Sequence, residues 1–142
     1  MSTERNKANM SRLMKDLFAR GEMDVADELV MPDFIEHSAV PGLPDGIPGL
    51  KAVAQMIRAG FPDFNITVED AIAEGDRVVL RLTEEGTQTG AVFGVPPSGR
   101  KARWSAIHII RMEDGKMAEH WDVIDLMSMM RQIGGVPMPG PA

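Results

Sequence analysis

Helical spacing in the first part of the chain and strand spacing in the second predict an α+β domain, with helices on one face of an antiparallel sheet. Apolar residues recur every three or four positions up to Ala59, and from Asp63 the period drops to two. The chain has 142 residues and 44% hydrophobic content, which suits a single domain over 1–142 with a flexible tail at 134–142. The tail GGVPMPGPA is rich in glycine and proline.

The elements follow in order. Met10, Leu13, Met14, Leu17 and Phe18 form the apolar stripe of an amphipathic helix over residues 4–20, ended by Gly21. Asp24 caps a short second helix carrying Val25, Ala26, Leu29 and Val30, with Pro32 beyond its end. Phe34 to His37 reads as a short extended piece. The run VPGLPDGIPG, residues 40–49, has too many prolines and glycines for regular structure. A third helix follows from Leu50 to Ala59. Two strands joined at Glu74-Gly75-Asp76 come next, then the loop GVPPSG. A long strand from Lys101 to Met112 turns at Glu113-Asp114-Gly115 into a last strand, Lys116 to Ile124. A short helix over 126–133 closes the domain.

Composition narrows the function. With no cysteine, structural disulfides, cysteine zinc sites and thiol nucleophiles are excluded. A net charge of −6 without any basic run argues against nucleic acid or an anionic membrane as partner. No apolar stretch is long enough to span a bilayer, and the polar start lacks a signal-peptide core, so a cytoplasmic protein is expected. Twelve methionines against seven aromatic residues suit gap filling in a core, and also an accommodating cavity.

The turn at Asp114-Gly115 decides which side chains share a face. A two-residue type I′ turn pairs His108 with Trp121. A three-residue loop with a bulged Gly115 pairs His108 with His120 and Ala106 with Asp122. The second is preferred, because it gathers Trp104, Ala106, His108, His120 and Asp122 on one face and leaves Arg103, Ser105 and Arg111 on the other. A one-residue slip inverts the assignment. An inward Asp122 is either a structural partner for a histidine or amide, or a general base raised by desolvation beside Trp104. His108 and His120 are sheet histidines or catalytic groups, and His37 is placed to close over a pocket mouth. Metal is not expected, since no HxH or HxxxH spacing exists. The opposite face carries Ile107, Ile109, Trp121 and Val123, an apolar stripe that predicts a homodimer.

Three segments then carry a resemblance. DFIEHSAVPGLPDGIPGLKAV, FPDFNITVEDAIAEGDRVVLRLT and GVPPSGRKARWSAIHIIRMEDGKMAEHWDVIDLM resemble the SnoaL-like polyketide cyclases, within the nuclear transport factor two-like superfamily that also holds ketosteroid isomerase. The resemblance spans residues 8–133. It implies a cone of curved antiparallel sheet, covered by N-terminal helices and enclosing a pocket. It implies cofactor-independent ring closure of a polyketide-like ester by intramolecular aldol condensation, with Asp122 of EHWD as the acid/base. His108 and His120 fall on the pocket wall, and His37 matches a histidine common in the family's DF-x-x-H stretch. Gln88, in GTQTG, stands where relatives often have histidine; it keeps hydrogen bonding but carries no proton. Met14, Phe18 and Met56 are the expected helix-side walls beside Trp104. Two alternatives share the cone: a non-catalytic small-molecule-binding domain with Asp122 held ionised by a fixed partner, and an epoxide hydrolase or isomerase. An epoxide hydrolase of this kind needs an Asp–Arg–Asp cluster with Arg58 or Arg81 turned inward.

Overall fold

The computed structural model describes residues 2–136. Helix α1 (Thr3–Leu13) runs into a π-helical stretch (Met14–Ala19) and is followed by α2 (Asp24–Leu29), strand β1 (Val30–Glu36) and α3 (Gly46–Gly60). The remaining elements are β2 (Asn65–Glu74), β3 (Arg77–Thr87), β4 (Lys101–Glu113), β5 (Lys116–Ile124) and α4 (Leu126–Ile133). The five strands form one curved, unclosed sheet in the order β1-β5-β4-β3-β2. Helices α1 and α3 and the π-helical stretch pack on the sheet. The core between them includes Leu13, Leu17, Leu80, Leu82 and Ile110. Among the described residues no helix is long and apolar enough to cross a membrane.

The antiparallel meander from β2 to β5 is the one its period-two pattern predicts. The fifth strand lengthens the short extended piece expected at Phe34 to His37 back to Val30. β1 lies parallel to β5 at the sheet edge, with Ile35 opposite Glu119 and Glu36 opposite His120. Pro32 is tolerated there because its missing N–H faces an irregular stretch of an edge strand, where the register breaks between Val30 and Ile35. Val30 therefore starts a strand instead of ending a helix.

Three helix boundaries also differ from expectation. The first helix is not α-helical throughout: Arg20 N–H donates to Lys15 O at 3.0 Å, the five-residue reach of a π turn. The Arg58 guanidinium closes its end by donating to the carbonyls of Phe18 and Ala19. Asp24 does not cap α2, whose N-cap is Met23 without a side-chain bond; Asp24 lies in the first turn, where its charge suits the helix dipole. Helix α3 begins at Gly46, inside the stretch expected to be irregular, because Pro48 falls in the first turn, where a missing N–H removes no helical bond. Gly134 ends α4 in the left-handed conformation. Of the expected tail, residues 137–142 lie outside the described residues.

The β4–β5 hairpin corrects the register argument while keeping its outcome. Asp114 (φ 51) and Gly115 (φ 77) form a two-residue type I′ turn, and Glu113 pairs with Lys116. In the next two pairs, Met112 faces Met117 while Arg111 faces Glu119, so Ala118 is an extra residue on β5. This bulge buries Met117 and Ala118 in succession and restores the parity that the tight turn alone would invert. His108 thus pairs with Asp122, and Ala106 with Ile124, in place of the expected His120 and Asp122. Trp104, Ala106, His108 and His120 are buried and Asp122 is half-buried on the concave side, the face expected of them.

Candidate active site

The concave face and the helices above it enclose a cavity of about 520 Å³, within the usual range for small-molecule sites. Alternating residues of three strands form one wall: Leu82 and Glu84 from β3, Trp104 and His108 from β4, His120 and Asp122 from β5. The π-helical stretch supplies Met14 and Phe18, and α3 supplies Val53 and Met56. All three helix-side residues expected at the wall line the cavity.

A polar chain crosses the apolar wall. Glu36 accepts from His120 Nδ1 at 2.7 Å, and His120 Nε2 lies 2.8 Å from His108 Nδ1. Glu36 fixes the orientation of the second ring, as carboxylates commonly do for histidine. The two rings share one hydrogen bond, whose donor is set by which ring carries the proton. His108 Nε2 is buried and without a partner. Burial first, and the His120 ring second, push His108 down to about 3, so it is neutral throughout the physiological range.

Asp122 stands beside this chain without joining it. Its Oδ2 is 3.8 Å from both His108 Nδ1 and His120 Nε2, too far for a hydrogen bond. Its main chain is clamped to Ser38, with Asp122 N–H donating to the hydroxyl at 3.0 Å and the hydroxyl donating to Asp122 O at 3.3 Å. Burial raises the Asp122 carboxyl above its ordinary value; His120 and Ser38 oppose this, and Glu36 adds to it.

His108 Nδ1, His120 Nε2 and an Asp122 oxygen lie within 4.8 Å of one another, a set that could in principle ligate an ion. Both nitrogens are already committed to one short hydrogen bond, which an ion would have to replace.

Two expected site residues lie elsewhere. His37 is on the outer face, its ring stacked on Trp121 at 4.8 Å and its Nε2 2.7 Å from Glu119. Alternation along β1 turns Glu36 inward and His37 out. Gln88 is fully buried, but in the loop that follows β3: its amide donates to Val95 O (3.0 Å) and Pro96 O (3.1 Å) and accepts from Ser98 N–H (3.1 Å). It staples the loop that includes two prolines, supplying donors their backbone lacks. Gln88→Leu should cost about 2–3 kcal/mol, since it leaves buried carbonyls unpaired. Denaturant melts should show that loss while turnover stays within about twofold; a fall in turnover at full folding would return Gln88 to the site.

The Asp–Arg–Asp cluster is likewise not assembled. Arg58 is spent on the π-turn carbonyls, and Arg81 pairs with Asp70 at 2.7 Å on the exposed side. Glu36, Ser38 and Glu84 are cavity residues that the sequence reading passed over. For Glu84 the signal was present, since Val78, Leu80 and Leu82 alternate straight into it.

An apolar cavity on the concave face of an α+β cone, with a carboxylate and two histidines converging on one wall, defines a small-molecule site of the cone-fold class. The family model for SnoaL-like polyketide cyclases matches residues 8–133. The chain belongs to that family. It is 33% identical over 126 residues to the nogalonic acid methyl ester cyclase of Streptomyces nogalater, covering 85% of this chain and 92% of that protein. It is 27% identical over 136 residues to the aklanonic acid methyl ester cyclase DauD of Streptomyces sp. (strain C5), covering 94% and 84%. Among solved structures, TsrD from Streptomyces laurentii superposes with a TM-score of 0.87 at 29% identity, covering 96% of this chain and 99% of that one. IdmH from Streptomyces antibioticus gives 0.79 at 32% identity, covering 91% and 98%.

Proposed function

We propose that this protein closes a ring in a polyketide methyl ester by intramolecular aldol addition, with Asp122 as the acid/base residue. The observation that carries the reading is a half-buried carboxyl, raised by desolvation and with no lysine or arginine beside it, on the wall of an apolar cavity. In the reaction Asp122 takes the acidic proton from the carbon next to the ester. The resulting enolate carbon attacks a carbonyl carbon of the same molecule, and the carbonyl π pair moves onto its oxygen. That oxygen takes up one proton in exchange for the one lost from carbon. The change is an isomerisation with no net electron transfer, so it calls for no cofactor. Enclosure by Met14, Phe18, Met56 and Trp104 holds the two ends of one chain together, where orientation is a large share of the rate.

The similarity to methyl ester cyclases supports the substrate class. Nogalonic acid methyl ester is the first probe, with ring closure followed by chromatography and mass; conversion by the wild type after dialysis against a chelator is the expected result. A protein that binds the ester and never converts it is a binding module instead. That alternative required Asp122 held ionised by a fixed partner, and the 3.8 Å gaps and the raised carboxyl speak against it.

The same reading includes a homodimer through the outer sheet face. Ile107, Ile109 and Val123 are exposed there, beside a Trp121 ring covered in part by His37 and Arg77. Sedimentation at micromolar concentration should give a dimer, and Val123→Glu should shift it to monomer by placing a charge in the stripe. A wild-type monomer contradicts the dimer.

A further inference from the structure

Glu84 is the most buried carboxylate of the cavity wall, with only 7% of its surface exposed. It occupies an inward position of β3, opposite Trp104 on β4. Its Oε2 has no hydrogen-bond partner. Among the described residues the cavity lining contains neither lysine nor arginine. A buried carboxylate without a lysine or arginine beside it is costly, and taking up a proton removes that cost. Burial first, and the negative charge of Asp122 second, push Glu84 up to about 7, against a smaller opposite pull from Trp104.

The proposed aldol step leaves one requirement open: a donor for the oxygen on which charge develops. Gln88 is outside the cavity, bonded to the loop that follows β3, and His108 Nδ1 is taken up by His120. We propose that Glu84 fills this role, as a neutral carboxylic acid that donates a hydrogen bond, and then its proton, to the carbonyl oxygen under attack. The inference rests on the ring-closure reading. As the carbon–carbon bond forms, the carbonyl π pair goes to oxygen and the O–H bond of Glu84 passes to it. Glu84 is left as a carboxylate, and Asp122 holds the proton from carbon. Transfer of that proton to Glu84 through water, once product leaves, restores the resting site. Glu84 is thereby a second catalytic residue, and the two carboxyls divide acid from base by environment.

The other titratable groups on the wall are Glu36 from β1, Asp45 ahead of α3, His108 from β4, and His120 and Asp122 from β5. The lining residues of α1, its π-helical stretch and α3 are all non-titratable. Two measurements test the proposal. Infrared spectra of the ligand-free protein between pH 5 and 9 should show a carboxylic-acid C=O band that titrates near neutrality and vanishes in Glu84→Gln. With nogalonic acid methyl ester as probe, wild-type kcat should fall on the alkaline side as Glu84 ionises. Glu84→Leu, which folds readily because it puts an apolar residue into an apolar wall, should lower kcat about 10²-fold with KM changed less than fivefold. Glu84→Gln should keep part of the rate and lose the alkaline limb. A Glu84→Leu protein with wild-type kcat and an unchanged limb overturns the role, as does an infrared band that survives in Glu84→Gln. A wild type that closes no ring overturns the ring-closure reading and this role with it.

Discussion

Asp122→Asn should lower ring closure about 10²–10⁴-fold, the usual loss when a positioned acid/base group is removed. The substitution is nearly isosteric, and the Asp122 side chain makes no hydrogen bond to His108 or His120 that the fold could miss, both being 3.8 Å away. The clamp to Ser38 runs through the main chain and survives. KM should therefore move little while kcat collapses, the pattern of an interaction made only in the transition state. The Glu36–His120–His108 chain remains intact in the variant, so residual rate reports what enclosure contributes without a base. Kinetics with the ester probe, read beside a thermal melt, decide the matter. An Asp122→Asn enzyme at wild-type kcat removes Asp122 from the chemistry.

The second large effect is on stability against pH, where two buried groups pull in opposite directions. His108 falls from 6.5 to about 3 on folding, so below pH 6.5 the unfolded chain binds a proton that the native state refuses. Its contribution is present above pH 6.5 and is lost as pH falls toward 3. Glu84 rises from 4.5 to about 7, so above pH 4.5 the unfolded chain releases a proton that the native state keeps. Its contribution is present below pH 4.5 and is lost as pH rises toward 7. Each slope is about 1.4 kcal/mol per pH unit where only one state is protonated. Between pH 4.5 and 6.5 they nearly cancel, and the pair hides itself in the wild type. Glu84→Leu should unmask the histidine slope: relative to wild type it should gain about 3 kcal/mol between pH 4.5 and 7. His108→Asn should unmask the opposite slope and resist acid better than wild type below pH 6. Urea titrations at a series of pH values measure both. Parallel stability curves for the variants and the wild type would contradict the protonation states assigned here.

Much of the site was legible because a strand alternates. Trp104, His108, His120 and Asp122 share the concave face, as the spacing on β4 and β5 suggests, although the turn argument for it was wrong. The turn is two residues long, and the extra residue is Ala118. Its only trace in the sequence is the adjacent apolar pair Met117-Ala118 where alternation calls for one inward residue. The helix-side residues Met14 and Phe18 followed from the apolar stripe of the first helix. Of strand β1 only the stretch from Phe34 was legible, because Pro32 reads as a break, and its parallel partner lies more than eighty positions away, beyond any local pattern. Without that pairing, the inward turn of Glu36 and the outward turn of His37 were not legible. Glu84 was passed over because Thr-Glu-Glu-Gly reads as a polar strand end, yet the alternation from Val78 through Leu82 points it inward. A burial pattern extended by one step would have found it. Gln88 was misplaced for another reason: its role is set by the loop it staples, whose path the sequence does not specify.

Removal of a proton from carbon by Asp122 can be observed apart from ring closure. The ester probe is incubated with protein in deuterium oxide, and deuterium at the activated carbon is followed by proton NMR in both substrate and product. Wild-type protein should incorporate deuterium there far faster than buffer, and Asp122→Asn should fall to near the buffer rate while still binding the ester. Ester bound in the cavity with no exchange above buffer, or exchange undiminished in Asp122→Asn, would contradict the account.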